Sequence, residues 1–244
     1  MKHRLLFIMF VLLLPIIAFS SSASRPVGAT HVYPAPLPQN DQPGSDHFVY
    51  ADFEKKDNGR AVSNRGGMIQ IYGGQESTPV SFKGLANASP GAPEIVRTKP
   101  DDPNHLVTFD YNLRGPNQWA NVTLQVQGQP DKDGKHVADD VSVYKFLSVQ
   151  LYVTGVDYLT IEFTSQGQGI KLDSGFPQAS IRIMPNLNTY KIPLKKLVQP
   201  TWQENKIETK EVLKKLTAIN ISVGCSQCVA VHGTVVVDNL VFEK

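Results

Sequence analysis

From residue 47 onward, short runs rich in β-branched and aromatic residues alternate with turn residues such as Gly, Pro, Asn and Asp. Within several runs, apolar and polar residues alternate with a period of two, which is typical of β-strands. The turn signals between the runs favour antiparallel neighbours. The pattern predicts strands at residues 47–54, 68–72, 106–113, 119–127, 145–154, 158–164, 179–183, 189–193, 217–223 and 234–242.

One segment, 208–216, has apolar residues at helical spacing and predicts a short helix or a turn. Many short strands with so little helix predict an all-β chain that folds as a single-domain antiparallel β-sandwich or jelly roll. Two stretches, 77–103 and 129–141, are rich in Pro or Asp residues. We expect both to be long loops at the rim of the sandwich, where binding functions are common.

The N-terminal part of the chain is set apart from this pattern. Basic residues precede an apolar run at 5–19, and small residues follow, which predicts a signal peptide at 1–23. Residues 24–46 are rich in Pro, Ala and Ser and predict a disordered tether, so the sandwich is predicted at 47–244. We therefore expect a secreted or periplasmic protein without a stable membrane span after signal removal. An uncleaved N-terminal anchor is the alternative.

The charge balance of the exported chain is neutral. Removal of the signal takes away Lys2 and Arg4 and leaves 22 basic and 22 acidic residues. A nucleic-acid-binding surface needs a clustered excess of Lys and Arg. We therefore expect no nucleic acid as a partner.

The chain has two cysteines, Cys225 and Cys228. In a reducing compartment their spacing would suit half of a zinc site or a redox pair. However, no second Cys pair or neighbouring His pair completes a zinc site, and the pair does not open a helix as a thioredoxin-like motif does. In an exported chain the spacing predicts a short-loop disulfide that stiffens the turn before the last strand.

The last predicted strand contains an acid, Asp238, among valines and other apolar residues. A carboxylate buried in such a strand needs a cation or several hydrogen-bond donors. If the first and last strands pair, Asp52 or Glu54 comes close to Asp238, and like charges brought together need a metal ion or a proton. The alternative is that Asp238 only accepts backbone hydrogen bonds.

Period-two alternation gives the middle strands an apolar and a polar side. The polar side carries aromatic, amide and charged side chains. These suit sugars, because the C–H face of a sugar ring packs on an aromatic plane while amides and charges pair with hydroxyls. The alternative is an ordinary solvated sheet face. The candidate ligand-binding residues are Trp119, Asn121, Gln125, Gln150, Tyr152, Tyr158, Glu162 and Arg182.

No sequence pattern indicates catalysis. The serines lack a Gly-x-Ser-x-Gly context, and no pairing of a nucleophile with a base is indicated. A glycosidase needs two placed carboxylates, and the spacing of Asp110 and Glu162 gives no support for such a pair. No catalytic residue is therefore predicted.

The order of the elements resembles a known group of proteins. A strand with aromatic and acidic residues leads to Arg65-Gly66-Gly67, and much later Tyr190-Lys191-Ile192-Pro193-Leu194 precedes the closing strand at 233–242. In this order the sequence resembles the galactose-binding-like jelly roll, and within it the family 11 carbohydrate-binding modules and the complex I intermediate-associated protein 30 domain. The Cys pair is not part of that pattern.

The resemblance implies a structural Ca²⁺ near the terminal strands and an extended glycan bound on a concave face. By position, Asp52 or Glu54 and Asp238 match the acids of the calcium site, and carboxylate oxygens are ligands that calcium accepts. The predicted function is an exported, non-catalytic module that binds a polysaccharide or other glycan. A protein-interaction or assembly domain on the same scaffold and a glycan-processing enzyme are the alternatives.

Overall fold

Each strand that the sequence predicts is present, with ends within a few residues of the predicted ones. The computed structural model describes residues 30–32, 43–74, 81–82, 91–97, 99–126, 133, 138–167, 169–170, 175–201, 203–227 and 230–244. The strands are β1 (Thr30–Val32), β2 (His47–Ala51), β3 (Lys56–Asp57), β4 (Arg60–Ala61), β5 (Ile69–Gly74), β6 (Ser81–Phe82), β7 (Glu94–Arg97), β8 (His105–Leu113), β9 (Gln118–Gln125), β10 (Phe146–Val153), β11 (Tyr158–Thr164), β12 (Gln178–Arg182), β13 (Asn188–Pro193), β14 (Ala218–Cys225) and β15 (Val231–Glu243).

The strands form two large antiparallel sheets, which confirms the predicted all-β sandwich. The first sheet has eight strands, in the order β1-β13-β10-β15-β8-β6, with β2 also paired to β15 and β7 paired to β8. The second sheet has five strands in the order β12-β11-β14-β9-β5. A separate hairpin of β3 and β4 follows β2.

Apolar side chains at alternate positions of both sheets form one continuous core. Phe242 lies in an aromatic cluster within it. The Phe48 ring stacks on Phe242 with ring centroids 5.9 Å apart, and the Tyr50 ring meets Phe242 edge-on at 5.8 Å. The Tyr50 hydroxyl donates a hydrogen bond to the carbonyl oxygen of Leu124 in the second sheet, at 3.2 Å. The aromatic residues of β2 and β15 therefore fix one sheet on the other.

β15 is the central strand of the first sheet. It pairs with β10 along one side and, along the other, first with β8 and then with β2. Its register against β10 shifts between Ser148 and Gln150, and Asn239 has a φ of 51° there, so β15 contains a β-bulge. Val49 pairs with Val241, so the first and last predicted strands are neighbours.

Two regions differ from the expectation of loops or disorder. β1, within the predicted tether at 24–46, pairs with the edge of β13. Within the predicted loop at 77–103, β6 and β7 both pair with β8. These strands are only two to four residues long, which is too short for a period-two pattern to be visible. They form because an edge strand offers unpaired N–H and C=O groups.

The helix predicted at 208–216 is confirmed by α1 (Thr209–Lys214), which buries Val212 and Leu213. A shorter 3₁₀ helix at Leu194–Lys196 follows β13. Within the ranges that the structure describes, no helix combines the length and the apolar character needed to cross a membrane.

Candidate functional site

The outer side of the second sheet carries a continuous set of polar and aromatic side chains. In every strand of this sheet, alternate residues such as Val122 and Leu124 of β9 point into the core, and the residues between them point outward. We call the outward set the polar face. Its members are Gln70, Tyr72 and Gly74 of β5, Trp119, Asn121, Thr123 and Gln125 of β9, Asn220, Ser222 and Gly224 of β14, Tyr158, Thr160 and Glu162 of β11, and Gln178, Ser180 and Arg182 of β12.

Trp119 is a large, partly open side chain of the polar face, with 41% of its surface exposed. It pairs with Gly74 of β5 on one side and with Gly224 of β14 on the other. A Cβ atom on Gly74 would lie 2.1 Å from Cε2 and 2.3 Å from Nε1 of the indole. The indole therefore lies against the Gly74 backbone, in space that any side chain at position 74 would occupy.

The row of residues that contains Trp119 continues across the sheet to Arg182. Tyr158, which is 44% exposed, pairs with the exposed Arg182 across β11 and β12. The register of β11 against β14 places Gly224 between Trp119 and Tyr158. Adjacent strands lie about 4.8 Å apart, so the backbones of Trp119 and Tyr158 lie about 10 Å apart with Gly224 between them. We call Gly74, Trp119, Gly224, Tyr158 and Arg182 the aromatic row.

Further along the strands, a hydrogen-bonded network crosses the polar face. Thr123 Oγ1 donates to Asn220 Oδ1 at 2.8 Å, and Asn220 Nδ2 donates to Glu162 Oε2 at 2.9 Å. Burial raises the pKa of Glu162, and the hydrogen bond from Asn220 opposes that rise. The network holds the Glu162 carboxylate in place on the face.

The amides near Trp119 differ in how far the protein satisfies them. Gln70 Oε1 accepts hydrogen bonds from the Tyr72 hydroxyl at 2.6 Å and from Gln125 Nε2 at 3.5 Å. Asn121 lies between these residues and Trp119, and its Oδ1 is buried without a hydrogen-bond partner among the described residues. A buried amide oxygen without a donor is costly, and the Asn121 side chain also lines a groove of the polar face.

Trp119 lies between two grooves in the polar face. The smaller groove, with a volume of about 360 Å³, follows β9 and β14 and is lined by Tyr72 and Asn121, among others. The larger groove, about 820 Å³, lies between Trp119 and Tyr158 and includes Ser222. Open grooves that combine aromatic planes with hydroxyl and amide groups suit an extended ligand that has both C–H faces and hydroxyls.

A second polar cluster lies on the outer side of the first sheet, at the bulge in β15. Asp238 is fully buried, and its Oδ2 accepts hydrogen bonds from Asn104 Nδ2 at 2.8 Å and Asn239 Nδ2 at 3.0 Å. Asp238 Oδ1 and Asn239 Oδ1 are buried without a partner in the described part of the chain. Burial is the main cause that raises the pKa of Asp238 to about 7, and the charges of Glu54 and Asp52 add to the rise.

Asp52 and Glu54 have hydrogen-bond partners of their own. Asp52 Oδ2 accepts from Asn64 Nδ2 at 3.0 Å, and Asp52 Oδ1 accepts from the Glu54 backbone N–H at 3.2 Å. Glu54 Oε1 accepts from the His105 backbone N–H at 2.6 Å, and Glu54 Oε2 lies 2.7 Å from His105 Nδ1. Among the residues described, no three His, Cys, Asp or Glu side chains form a group that could hold a metal.

The oxygen atoms at the bulge nevertheless fit a hard cation. Calcium takes carboxylate, amide and backbone oxygens as ligands, and Asp238 Oδ1 and Asn239 Oδ1 are buried oxygens that receive no hydrogen bond from any described residue. A cation at this point would also compensate the buried carboxylate, whose raised pKa reflects the cost of its charge. The predicted calcium site stays a prediction with a chemically suitable set of residues.

Comparison with known proteins gives a match in structure only. No protein-family model and no curated protein matches the sequence. The family 11 carbohydrate-binding module of the cellulosomal cellulase Lic26A-Cel5E of Clostridium thermocellum matches with a TM-score of 0.52 and 15% identity, over 81% of this chain and 94% of that chain. This chain has the fold of a family 11 carbohydrate-binding module.

A second structure of the same fold contains a ligand. It is a family 11 module from Clostridium thermocellum in complex with a β-1,3-1,4-mixed-linked tetrasaccharide, with a TM-score of 0.50 and 16% identity, over 81% of this chain and 95% of that chain. The family 11 module fold confirms the jelly-roll architecture that the sequence predicts. The predicted resemblance to the complex I-associated domain stays a prediction.

On the family 11 module fold, the predicted ligand-binding residues fall into two groups. Gln150 and Tyr152 lie on the first sheet, because β10 pairs with β13 and β15 and not with β9 or β11. Period-two alternation correctly places their side chains outward, but it cannot assign a strand to a sheet. The other six residues share the polar face: Trp119, Asn121, Gln125, Tyr158, Glu162 and Arg182.

Several residues of the polar face are absent from the candidates that the sequence predicts. Tyr72 and Asn220 alternate with buried isoleucines in predicted strands, so the same period-two signal could have found them. Gly74 carries no such signal, because its role depends on the neighbouring indole. Cys225 ends β14 and lines the larger groove. Cys228 lies outside the described residues, so the disulfide stays a prediction.

Proposed function

We propose that the protein is a non-catalytic carbohydrate-binding module that binds an extended glycan on the polar face. The observation that carries this proposal is the position of Trp119, whose partly exposed indole lies on Gly74 between two open grooves. An exposed aromatic plane packs on the C–H face of a sugar ring. Large aromatic side chains left open on a surface usually serve an interaction.

The surrounding side chains supply the polar half of glycan recognition. Asn121 lines the smaller groove with its amide, and Ser222 and Thr160 line the larger groove with hydroxyls. Such groups pair with sugar hydroxyls, while the aromatic planes provide apolar contact. A family 11 module of the same fold is in complex with a mixed-linked tetrasaccharide, which makes mixed-linkage β-glucan the first polysaccharide to test.

Affinity electrophoresis in gels that contain mixed-linkage β-glucan tests the proposal. We expect the wild-type chain to be retarded, and Trp119→Ala to bind about tenfold more weakly because it loses the aromatic contact. Tyr152→Ala is the matched control, since it removes an aromatic side chain from the other sheet and should be retarded like the wild type. Melting curves establish that both variants are folded.

The outcome that contradicts the proposal is equally specific. A wild-type chain that is not retarded by mixed-linkage β-glucan or by other β-linked polysaccharides does not use the polar face for glycans. Equal retardation of wild type and Trp119→Ala would place any glycan site elsewhere. Co-purification of a protein partner in the absence of glycan binding would favour the assembly-domain alternative.

A structural Ca²⁺ is part of the proposal. Asp238 and Asn239 would supply side-chain oxygens at the β15 bulge. Asp52, just after β2, is near enough for its charge to raise the pKa of Asp238. A bound calcium ion would compensate the buried carboxylate and hold the bulge against the segment after β2. The chain's N-terminal sequence supports export to an oxidising compartment, where Cys225 and Cys228 can form a disulfide.

A further inference from the structure

The two charged side chains of the polar face are Glu162 and Arg182, and they differ in whether the protein supplies a hydrogen-bond partner. The Glu162 carboxylate accepts a hydrogen bond from Asn220. Arg182 is exposed and makes no hydrogen bond or ion pair with the described residues. Glu162 lies four residues from Tyr158 along β11, a distance of about 13 Å, so it does not neutralise Arg182. The exposed Asp157, next to Tyr158 in sequence, makes no ion pair with Arg182 either.

The position of Arg182 in the aromatic row connects it to the proposed glycan site. Arg182 pairs directly with Tyr158 across β11 and β12, and the bases of such paired side chains lie about 5 Å apart. A glycan that lies along the row passes from Trp119 over Gly224 to Tyr158 and then reaches the guanidinium. An unpaired arginine on a surface is common, but this one ends a row of exposed aromatic residues.

We infer that Arg182 forms a subsite for the carboxylate of an acidic sugar, so that the glycan bound on the polar face carries uronic acid residues. This inference rests on the proposed function. A guanidinium group matches a carboxylate because its planar fork of N–H donors can make two parallel hydrogen bonds. The neighbouring Tyr158 ring offers the sugar ring an apolar plane at the same point.

The neutral and the acidic form of one polymer separate this inference from the proposed function. Mixed-linkage β-glucan is compared with the same β-glucan in which part of the C6 hydroxymethyl groups are oxidised to carboxylates. We expect the wild type to bind the oxidised polymer about five- to tenfold more tightly at low salt. The preference should shrink as salt is added, because the partly exposed charges are screened.

Variants of the full chain test which residue causes the preference. Arg182→Gln should bind both polymers equally or prefer the neutral one, and Arg182→Lys should keep part of the preference because it keeps the charge without the fork. Lys195→Gln is the matched control. It removes one exposed positive charge from the 3₁₀ helix after β13 and should behave like the wild type.

Each other outcome has a defined meaning. If the wild type binds neutral β-glucan and shows no preference for the oxidised polymer, the inference is overturned while the proposed function stands. The same holds if Arg182→Gln keeps the preference, or if Lys195→Gln also loses it. If the wild type binds neither of these two polymers nor any other β-linked polysaccharide, the proposed function itself fails.

Discussion

The indole of Trp119 lies against the backbone of Gly74, so closely that a Cβ at position 74 would be 2.1 Å from the ring. The contact joins the edge strand β5 to β9 and fixes the orientation of the indole on the sheet. Gly74, which has no side chain, therefore determines which side of the ring faces solvent. Gly74 belongs to the candidate site as much as Trp119 does.

Gly74→Ala should weaken glycan binding about tenfold, because the new methyl group pushes the indole out of its position. The clash is with a side chain, so the fold should be retained. Affinity electrophoresis measures the binding. Fluorescence in a Trp202→Phe background reports the surroundings of Trp119. In Gly115→Ala, the nearest contact of the new Cβ is a side-chain atom at 3.8 Å, so this control should bind normally. Unchanged binding by Gly74→Ala would contradict the assigned role.

The sequence contains enough information to predict most of the fold. Period-two alternation locates the long strands, because their apolar residues face one core and their polar residues face solvent. It also places Trp119 and Tyr158 correctly on an outward side. The short strands β1, β6 and β7 escape prediction, since they depend on the exposed edges of longer strands.

The composition of the site is harder to predict, because it depends on which strands become neighbours. Tyr152 and Tyr158 are on consecutive strands with the same outward pattern, yet β10 and β11 belong to different sheets. The closeness of Gly74 to Trp119 likewise follows from the pairing of β5 with β9, which no local pattern contains. Local alternation determines the direction of a side chain, and long-range pairing determines its neighbours.

Calcium should raise the melting temperature of the wild-type chain, and a chelator should lower it, because a ligand that binds only the folded state stabilises that state. At a calcium concentration one hundred times the dissociation constant, the gain is about 2.7 kcal/mol. Asp238→Ala should not respond to calcium, whereas the control Asp157→Ala, which alters an exposed acid, should respond normally. Differential scanning fluorimetry measures these shifts. If the melting temperature of the wild type is the same with and without chelator, the proposed calcium site is contradicted.

Without calcium, the raised pKa of Asp238 gives a second observable. The folded chain keeps the proton on Asp238 up to pH of about 7, while the unfolded chain releases it near the ordinary value of 3.8. The unfolded state therefore binds fewer protons in this window, and this group lowers stability as pH rises through it. We expect Asp238→Asn to show less of this decline, as measured by urea unfolding in chelator from pH 4 to pH 8. An equal decline in the variant would contradict the assignment to Asp238.

Glu243→Gln should lower stability by about 1–2 kcal/mol at neutral pH, because it weakens charge-assisted hydrogen bonds. Burial alone would raise the pKa of Glu243, but hydrogen bonds from Lys191 and Ser148 and the charge of Lys191 outweigh burial and lower it. The stabilisation is therefore present above the ordinary pKa of Glu and is lost as pH falls below it. Urea unfolding should show the difference between wild type and variant shrinking towards pH 3. A difference that is independent of pH would contradict this origin.

Gly67→Ala should cost about 3 kcal/mol of stability, because a Cβ at this position would lie 2.0 Å from the Gln125 carbonyl oxygen and 2.5 Å from the Val126 carbonyl carbon. The backbone at the end of β9 cannot move aside as a side chain can. The expected fall in melting temperature is about 6–12 °C. Gly59→Ala is the control, since Gly59 has a φ of 78° but open space around its Cβ position, and the left-handed conformation should cost alanine about 1 kcal/mol. Similar losses in both variants would contradict a steric origin of the cost at Gly67.

The central place of β15 in the first sheet affects the time at which the domain can fold. β2, β8 and β10 all pair with β15, which is synthesised after them. Val49 can pair with Val241 only after about 190 more residues have been made. Contacts so distant in sequence form slowly, because a long loop must close before they contribute. A chain emerging from the ribosome therefore cannot complete its first sheet early. The predicted signal peptide implies passage through a translocon, and a chain whose first sheet forms this late would still be unfolded when it is exported.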